Sequence, residues 1–361
     1  MFFLIFLLLI IILISAIYGS SENYMIVNLT LNKNLIVEIM APKKAQFLGN
    51  IANHIILEKS DKYIKYIIKN KKIDADGASR YPFIIKNYCS AHFQNIIMHL
   101  NYNCAIKFKC NKNIYISSLG EYKGELLKER NYLIVITDKK FTIQNGSLFV
   151  YPSGNYFHIP KTKIINHYKK ANSIFAKYFG PSKFNVFMLA YNCFLMKDDK
   201  NSGVGGTACY GGFDLHIEQT AKRSEKIIRT IKSTLRHELM HSWINSYIMK
   251  NNGDYTMSWF KEGFTEFFAQ YLYYIKKPKK FQFFIDKYTK SYNENPYKHL
   301  EDDKLTKELF WNNYDAQALP YQRGFLIALA FLEKHGIKKF IKVMKELFKK
   351  KITTKDISIF K

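Results

Sequence analysis

The sequence predicts an α+β protein, with a β-rich first part and a mainly helical second part. Three observations carry that reading. Between Tyr24 and about Pro152 short runs of Ile, Val, Tyr and Leu alternate with Lys and Asn and are separated by polar turns, the period of half-buried antiparallel strands. Beyond Lys163 apolar residues recur at helical spacing instead. The chain has 361 residues, 48 % of them apolar, enough for two separate cores and too many for a disordered chain.

Met1 to Ile14 is an almost unbroken apolar run followed by Ser15-Ala16-Ile17-Tyr18-Gly19-Ser20, the apolar stretch and small-residue tail of an export signal over residues 1–19. A run of about 17 apolar residues also reaches the lower limit of a spanning helix, so the alternative is a membrane anchor formed by residues 2–18. Both readings export the remainder, to the periplasm, the cell envelope or the medium. Strands are expected at Tyr24–Leu31, Asn34–Met40, Tyr63–Ile68, Ala105–Phe108, Ile114–Ile116, Tyr132–Thr137 and Leu148–Tyr151, and their spacing fits an antiparallel β-sandwich over residues 21–153. His54, His92 and His99 stand isolated there and read as surface or core residues. Pro152, Gly154 and Pro160 mark a connection, after which residues 161–361 form the second domain.

That domain opens with a helix from Lys163 to Phe179, stopped by Gly180-Pro181. A strand, Phe184 to Ala190, precedes the glycine-rich run from Gly203 to Gly212, where repeated glycines signal close approach by another backbone. A second helix starts near Ser224-Glu225 and carries Ile227, Ile228, Ile231, Leu235 and Leu239 on one side. A third begins at Trp259, and the rest is helical with breaks at Asn295-Pro296 and Pro320. His335 before Gly336 suits a helix C-terminus.

The formal net charge of +26 invites a nucleic-acid partner, but only six of 55 basic residues are arginine (Arg80, Arg130, Arg223, Arg229, Arg236 and Arg323). Guanidinium is the favoured group for bidentate phosphate and base contacts, so the excess reads as a compositional bias toward Lys, Asn and Ile, with no nucleic-acid role. The basic stretch from Ile337 to Lys350 reads as a docked helix with a solvated lysine face. Five cysteines leave two readings open: buried thiols, or pairs such as Cys104 with Cys110 and Cys193 with Cys209.

The chemistry is concentrated in Arg236-His237-Glu238-Leu239-Met240-His241. Histidines four residues apart lie on one helix face and can reach one ion, while the glutamate between them can polarise a water held there. Glu262, on the next helical stretch, supplies a third ligand, and two histidines with one carboxylate form the set of a catalytic zinc. Glu266, one turn further on, and Asn245 are candidates for orienting the ligand imidazoles.

The HExxH helix with Trp243, the Glu262-Gly263-Phe264-Thr265 run and the downstream Pro320-Tyr321-Gln322-Arg323-Gly324 segment together resemble the gluzincin metallopeptidases, in particular the glycyl aminopeptidase and aminopeptidase N families. The resemblance spans roughly residues 175 to 335. It implies a thermolysin-like catalytic domain with a small edge-strand sheet, Zn²⁺ as cofactor, a peptide or protein substrate, and Tyr321 as hydrogen-bond donor to the tetrahedral intermediate. It also makes Gly205, Gly206, Thr207 and Ala208 the cleft-lining strand with which an extended substrate would pair. In those families a glutamate of that strand binds the substrate's amino terminus; here Ala208 stands in its place. Asp214 and Glu218 are the nearby acids, read as solvated strand-edge residues. The expected activity is metal-dependent peptide hydrolysis with Glu238 as general base, exo or endo. The alternative is a peptidase-like protein that binds metal or peptide without turnover.

Overall fold

A computed structural model describes residues 24–41, 47–48, 54–69, 83–85, 87–96, 99–100, 105–127, 132–152, 161–195, 203–219, 225–244, 255–350 and 352–360. The expectations for residues 1–20, for Asn245, for Cys104 and for most of the Pro152–Pro160 connection fall outside them. Among the described residues no helix is long and apolar enough to cross a membrane.

The strands are β1 (Tyr24–Leu31), β2 (Leu35–Met40), β3 (Phe47–Leu48), β4 (His54–Lys59), β5 (Tyr63–Ile68), β6 (Phe83–Ile85), β7 (Tyr88–His92), β8 (His99–Leu100), β9 (Ala105–Cys110), β10 (Asn113–Ile116), β11 (Gly120–Glu121), β12 (Leu133–Thr137), β13 (Ile143–Gln144), β14 (Ser147–Val150), β15 (Phe187–Leu195), β16 (Val204–Cys209) and β17 (Gly212–Gln219). Three five-stranded sheets run in the orders β4-β5-β2-β1-β9, β11-β10-β12-β7-β6 and β13-β14-β15-β17-β16, beside a short β3-β8 ribbon.

The sheets stack as layers because their strands alternate. In β1 every second residue, Met25, Val27, Leu29 and Leu31, is buried, and these meet Ile84, Cys89, Ile114, Ile134 and Ile136 of the second sheet. The opposite face of that second sheet, through Tyr88, Tyr115, Leu133 and Val135, packs on Leu148, Val150, Met188 and Ala190 of the third. Covered on both faces, β7 and β12 are buried along their whole length. The third sheet then turns Leu189, Tyr191, Phe213, Leu215 and Ile217 toward the helices. The first two sheets form the expected sandwich, with two corrections. It is not wholly antiparallel, since β1 runs parallel to β9. Leu148–Tyr151, expected as its last strand, falls on β14 (Ser147–Val150), which pairs parallel with β15 in the third sheet instead.

The helices are α1 (Phe93–Ile96), α2 (Lys161–Phe179), α3 (Glu225–Ile244), α4 (Thr265–Tyr274), α5 (Pro278–Glu294), α6 (Lys307–Asn312), α7 (Tyr314–Leu347) and α8 (Thr354–Ile357). Helix α2 ends at Gly180, whose φ of 86° lets its N–H return to the Ala176 carbonyl. Helix α7 is broken at Gly336 (φ 71°), just after His335. Cys89, Cys110 and Cys209 are free thiols, so the disulfides suggested for Cys110 and Cys209 are not formed.

Candidate metal centre

Helix α3 lies against the third sheet with His237, Glu238 and His241 all buried. Opposite it, Trp259–Phe264 is one π-helical stretch that carries Glu262 and runs into α4. A π turn inside a helix is rare and concentrates at functional sites. The three expected ligands converge: His237 Nε2 and His241 Nε2 are 3.0 Å apart, and Glu262 Oε2 is 3.4 Å from the first and 3.3 Å from the second. Zinc bonds of about 2.0–2.1 Å at tetrahedral angles set ligand atoms roughly 3.3 Å apart, so the triangle has the edge length the ion requires. Among the described residues it is the only such group of histidine, cysteine and acidic side chains.

Neighbouring groups decide which nitrogen of each imidazole is bare. Glu266 Oε2 sits 2.9 Å from His237 Nδ1, and a carboxylate there accepts the Nδ1 hydrogen. Thr265 Oγ1 gives its hydrogen to the Lys261 carbonyl at 2.5 Å and therefore accepts from His241 Nδ1 at 3.2 Å. Both Nε2 atoms are thereby left as lone pairs facing a carboxylate oxygen, an arrangement that calls for a cation at its centre. The protonation tendencies agree. Burial alone would push His237 down, but Glu262 and Glu266 raise it to about 10, so this cluster of acceptors recruits positive charge. Burial lowers His241, and although burial opposes it, the two imidazoles hold Glu262 well below the usual carboxylate range.

Glu238 lies beneath the edge strand β16. A methyl at Gly206 would come within 2.5 Å of Glu238 Cγ, so only glycine lets the strand approach this carboxylate so closely. Burial pushes the Glu238 carboxyl up to about 8, and Glu262 and Asp214 act in the same direction against the pull of His237. On the other side the Tyr321 ring stacks on His237 with centroids 5.4 Å apart. Burial and then the charges of Glu262 and Glu238 raise the Tyr321 hydroxyl well above its ordinary value, which keeps it a proton donor.

The register of β16 on β17 assigns the remaining expected residues. Gly206 and Ala208 pair with Leu215 and Phe213 and share their helix-facing side, toward Glu238, while Gly205 and Thr207 pair with His216 and Asp214 on the reverse. Among the described residues β16 is the end strand of its sheet, and such an edge can pair with an extended chain. Asp214 is not the solvated edge acid expected: it is 1 % exposed, and its two oxygens accept from His92 Nε2 at 3.2 Å and His216 Nε2 at 2.7 Å. The side chain of Glu218 is outside the described residues. His92 belongs to the second sheet, so this buried trio ties the sandwich to the sheet that carries β16. The Asp214-x-His216 spacing, which places both on one strand face, was its only trace in the sequence.

Burial opposes the charge on His92, but Asp214 raises its pKa above the ordinary 6.5. Burial likewise opposes Asp214, and His216 and His92 press its pKa below the ordinary carboxylate value. A raised histidine contributes stability that is complete below about pH 6.5 and disappears as pH climbs through the folded-state value. A depressed aspartate contributes stability present above about pH 4 and lost as pH falls through its folded value. The melting temperature is therefore expected to fall as pH rises from 6.5, and His92→Gln to flatten that limb; parallel slopes in parent and variant would refute the assignment.

No protein-family model matches the chain, and no curated protein matches its sequence. Solved structures do. An aminopeptidase N family protein from Idiomarina loihiensis is 14 % identical with a TM-score of 0.62, the match covering 90 % of this chain and 70 % of that one. An M1 zinc metallopeptidase from Deinococcus radiodurans is 14 % identical with a TM-score of 0.53, covering 94 % and 89 %. Yeast LTA4 hydrolase in complex with Bestatin is 13 % identical with a TM-score of 0.53, covering 94 % of this chain and 65 % of its own. The chain thus has the fold of the M1 zinc metallopeptidases, the aminopeptidase N family and LTA4 hydrolase among them, in line with the resemblance of its motifs.

Proposed function

We propose that the chain is a zinc-dependent peptidase in which His237, His241 and Glu262 hold the ion. The observation that carries this is the trio of acceptors at zinc-ligand spacing, two of them imidazole nitrogens whose hydrogens are committed elsewhere to Glu266 and Thr265. Zinc there would supply Lewis acidity and a water of lowered pKa. Glu238 takes the proton of the attacking water and passes it to the leaving amine. Tyr321 donates to the oxyanion of the tetrahedral intermediate. The edge of β16 binds the peptide backbone, with Gly206 letting that strand pass in direct contact with Glu238. The apolar N-terminal run supports a site of action outside the cytoplasm.

The test is one zinc per chain by elemental analysis, together with cleavage of a quenched peptide library that stops on chelation and resumes with added zinc. Binding without cleavage would instead favour a protein that holds metal or peptide and does no chemistry. Tyr321→Phe is expected to lower kcat on the order of 10²-fold with KM little changed, because its hydroxyl acts on the developing charge and not on the bound ground state. An unchanged kcat would remove Tyr321 from the mechanism.

A further inference from the structure

Arg236, adjacent to the ligand His237, is 2 % exposed and is among the largest fully buried side chains of the protein. A buried guanidinium is costly and ordinarily meets a carboxylate. Its hydrogen-bonding partners are neutral instead, the Tyr274 side chain among them. Nε and Nη2 both donate to Gln270 Oε1, at 3.2 and 2.5 Å, and Nη1 lies 3.1 Å from His167 Nε2. The rings of Tyr273 and Tyr274 lie over the guanidinium with centroids at 4.6 and 5.1 Å. Burial, then the Arg236 charge, hold His167 down to about 3, so its imidazole is neutral, and its Nε2 lies between Arg236 Nη1 and the Lys232 carbonyl, 3.2 Å away.

Arginine only donates, so the double contact settles which end of the Gln270 amide is the oxygen. Its NH₂ must point the other way, where it reaches Glu266 Oε1 at 3.1 Å and Ser233 Oγ at 3.0 Å. Tyr288 gives the same Glu266 oxygen a second hydrogen bond, at 2.8 Å. With Oε1 doubly held, Oε2 is left for His237 Nδ1. The chain of contacts thus runs Arg236, Gln270, Glu266, His237, and each link has one allowed donor direction.

We propose that Arg236 and Gln270 are positioning residues for the metal centre: the buried cation locks the Gln270 amide, which locks Glu266, which presents His237 Nε2 to the ion. The inference rests on the zinc reading above. Gln270→Glu is the discriminating variant. It retains the side-chain shape and gives Arg236 a carboxylate, which favours the fold, yet it cannot donate to Glu266 and sets two carboxylates against each other. A variant that is merely structural should therefore be neutral or stabilised, whereas a positioning residue should loosen the metal.

The experiment uses the full chain and measures zinc affinity by competition with a chromophoric chelator, the visible absorption of the Co²⁺-substituted protein, and near-ultraviolet circular dichroism as a check of folding. Loss of outer hydrogen-bonding partners typically costs about 10- to 100-fold in metal affinity. Gln270→Glu is expected to fold as the parent does, to weaken zinc binding by about that factor and to alter the Co²⁺ spectrum. Arg236→Lys, which retains a cation but loses the two-pronged contact, is expected to shift both readouts in the same direction by less. Parental zinc affinity and Co²⁺ spectrum in the folded variants would overturn the inference; should Gln270→Glu not fold, Arg236→Lys decides alone. A parent chain that takes up no zinc would overturn the zinc reading itself, and with it this inference, which the parent measurement reveals before any variant is made.

Discussion

Glu238→Gln is expected to bind zinc as the parent does and to turn over peptide on the order of 10³-fold more slowly, within the range that general acid–base catalysis supplies. The substitution is almost isosteric, which matters because Glu238 is 6 % exposed and lies within reach of any atom added at Gly206. An amide fills that space without strain but cannot accept the water's proton. Burial raises the proton affinity of this carboxyl above that of an ordinary carboxylate, the direction a proton acceptor requires. Replacing a buried acid by a neutral amide also removes a desolvation cost, so the melting temperature should not fall. Zinc content, melting and peptide turnover on one preparation check all three statements. Turnover at the parental rate would show that the water is activated by some other group.

The approach of His237 to His241 was legible in the sequence because it depends on helix geometry alone. A four-residue spacing fixes where two imidazoles point, and the same spacing made Glu266, one turn beyond Glu262, a readable partner for His237. Alternation likewise gave β1, β2 and β5, which each bury every second residue, but not β7, which is buried along its whole length and shows no alternation. What the sequence withheld depends on contacts far apart along the chain. His92 and Asp214 are 122 residues apart, and nothing in either neighbourhood shows that a second sheet will press one against the other. Arg236 and Gln270 are 34 residues apart on separate helices, and their contact appears only when those helices are laid together. The π turn at Glu262 was invisible because its aromatic spacing, with Phe260 and Phe264 four apart, is that of an ordinary helix. Strand β14 has the composition of its neighbours, and only its parallel partner β15 shows that it belongs to the third sheet.

Gly324→Ala is expected to destabilise the protein by about 3 kcal/mol or more and to reduce turnover sharply in whatever fraction still folds. The prediction comes from the crossing of α7 with the Trp259–Phe264 stretch. A methyl at Gly324 would overlap the Trp259 carbonyl oxygen and come within 2.8 Å of Gly263 Cα. The obstacles are backbone atoms, which cannot swing aside as a side chain would, so the helices must part. Relief by separation is itself harmful at this place. Glu262 adjoins Gly263 on one helix and Tyr321 lies one turn before Gly324 on the other, so the crossing that the two glycines permit also brings Glu262 and Tyr321 together. Misplacing a reacting group by about 1 Å can cost on the order of 10²-fold in rate, and here ligand and donor shift together. Gly263→Ala should show the same pair of defects, and the double variant less than their sum, since one displacement of the helices relieves both collisions. Thermal melting with zinc titration and peptide turnover would measure this. Parental stability and turnover in Gly324→Ala would mean that the helices do not cross here at backbone contact, and the placement of Tyr321 beside His237 would lose its support.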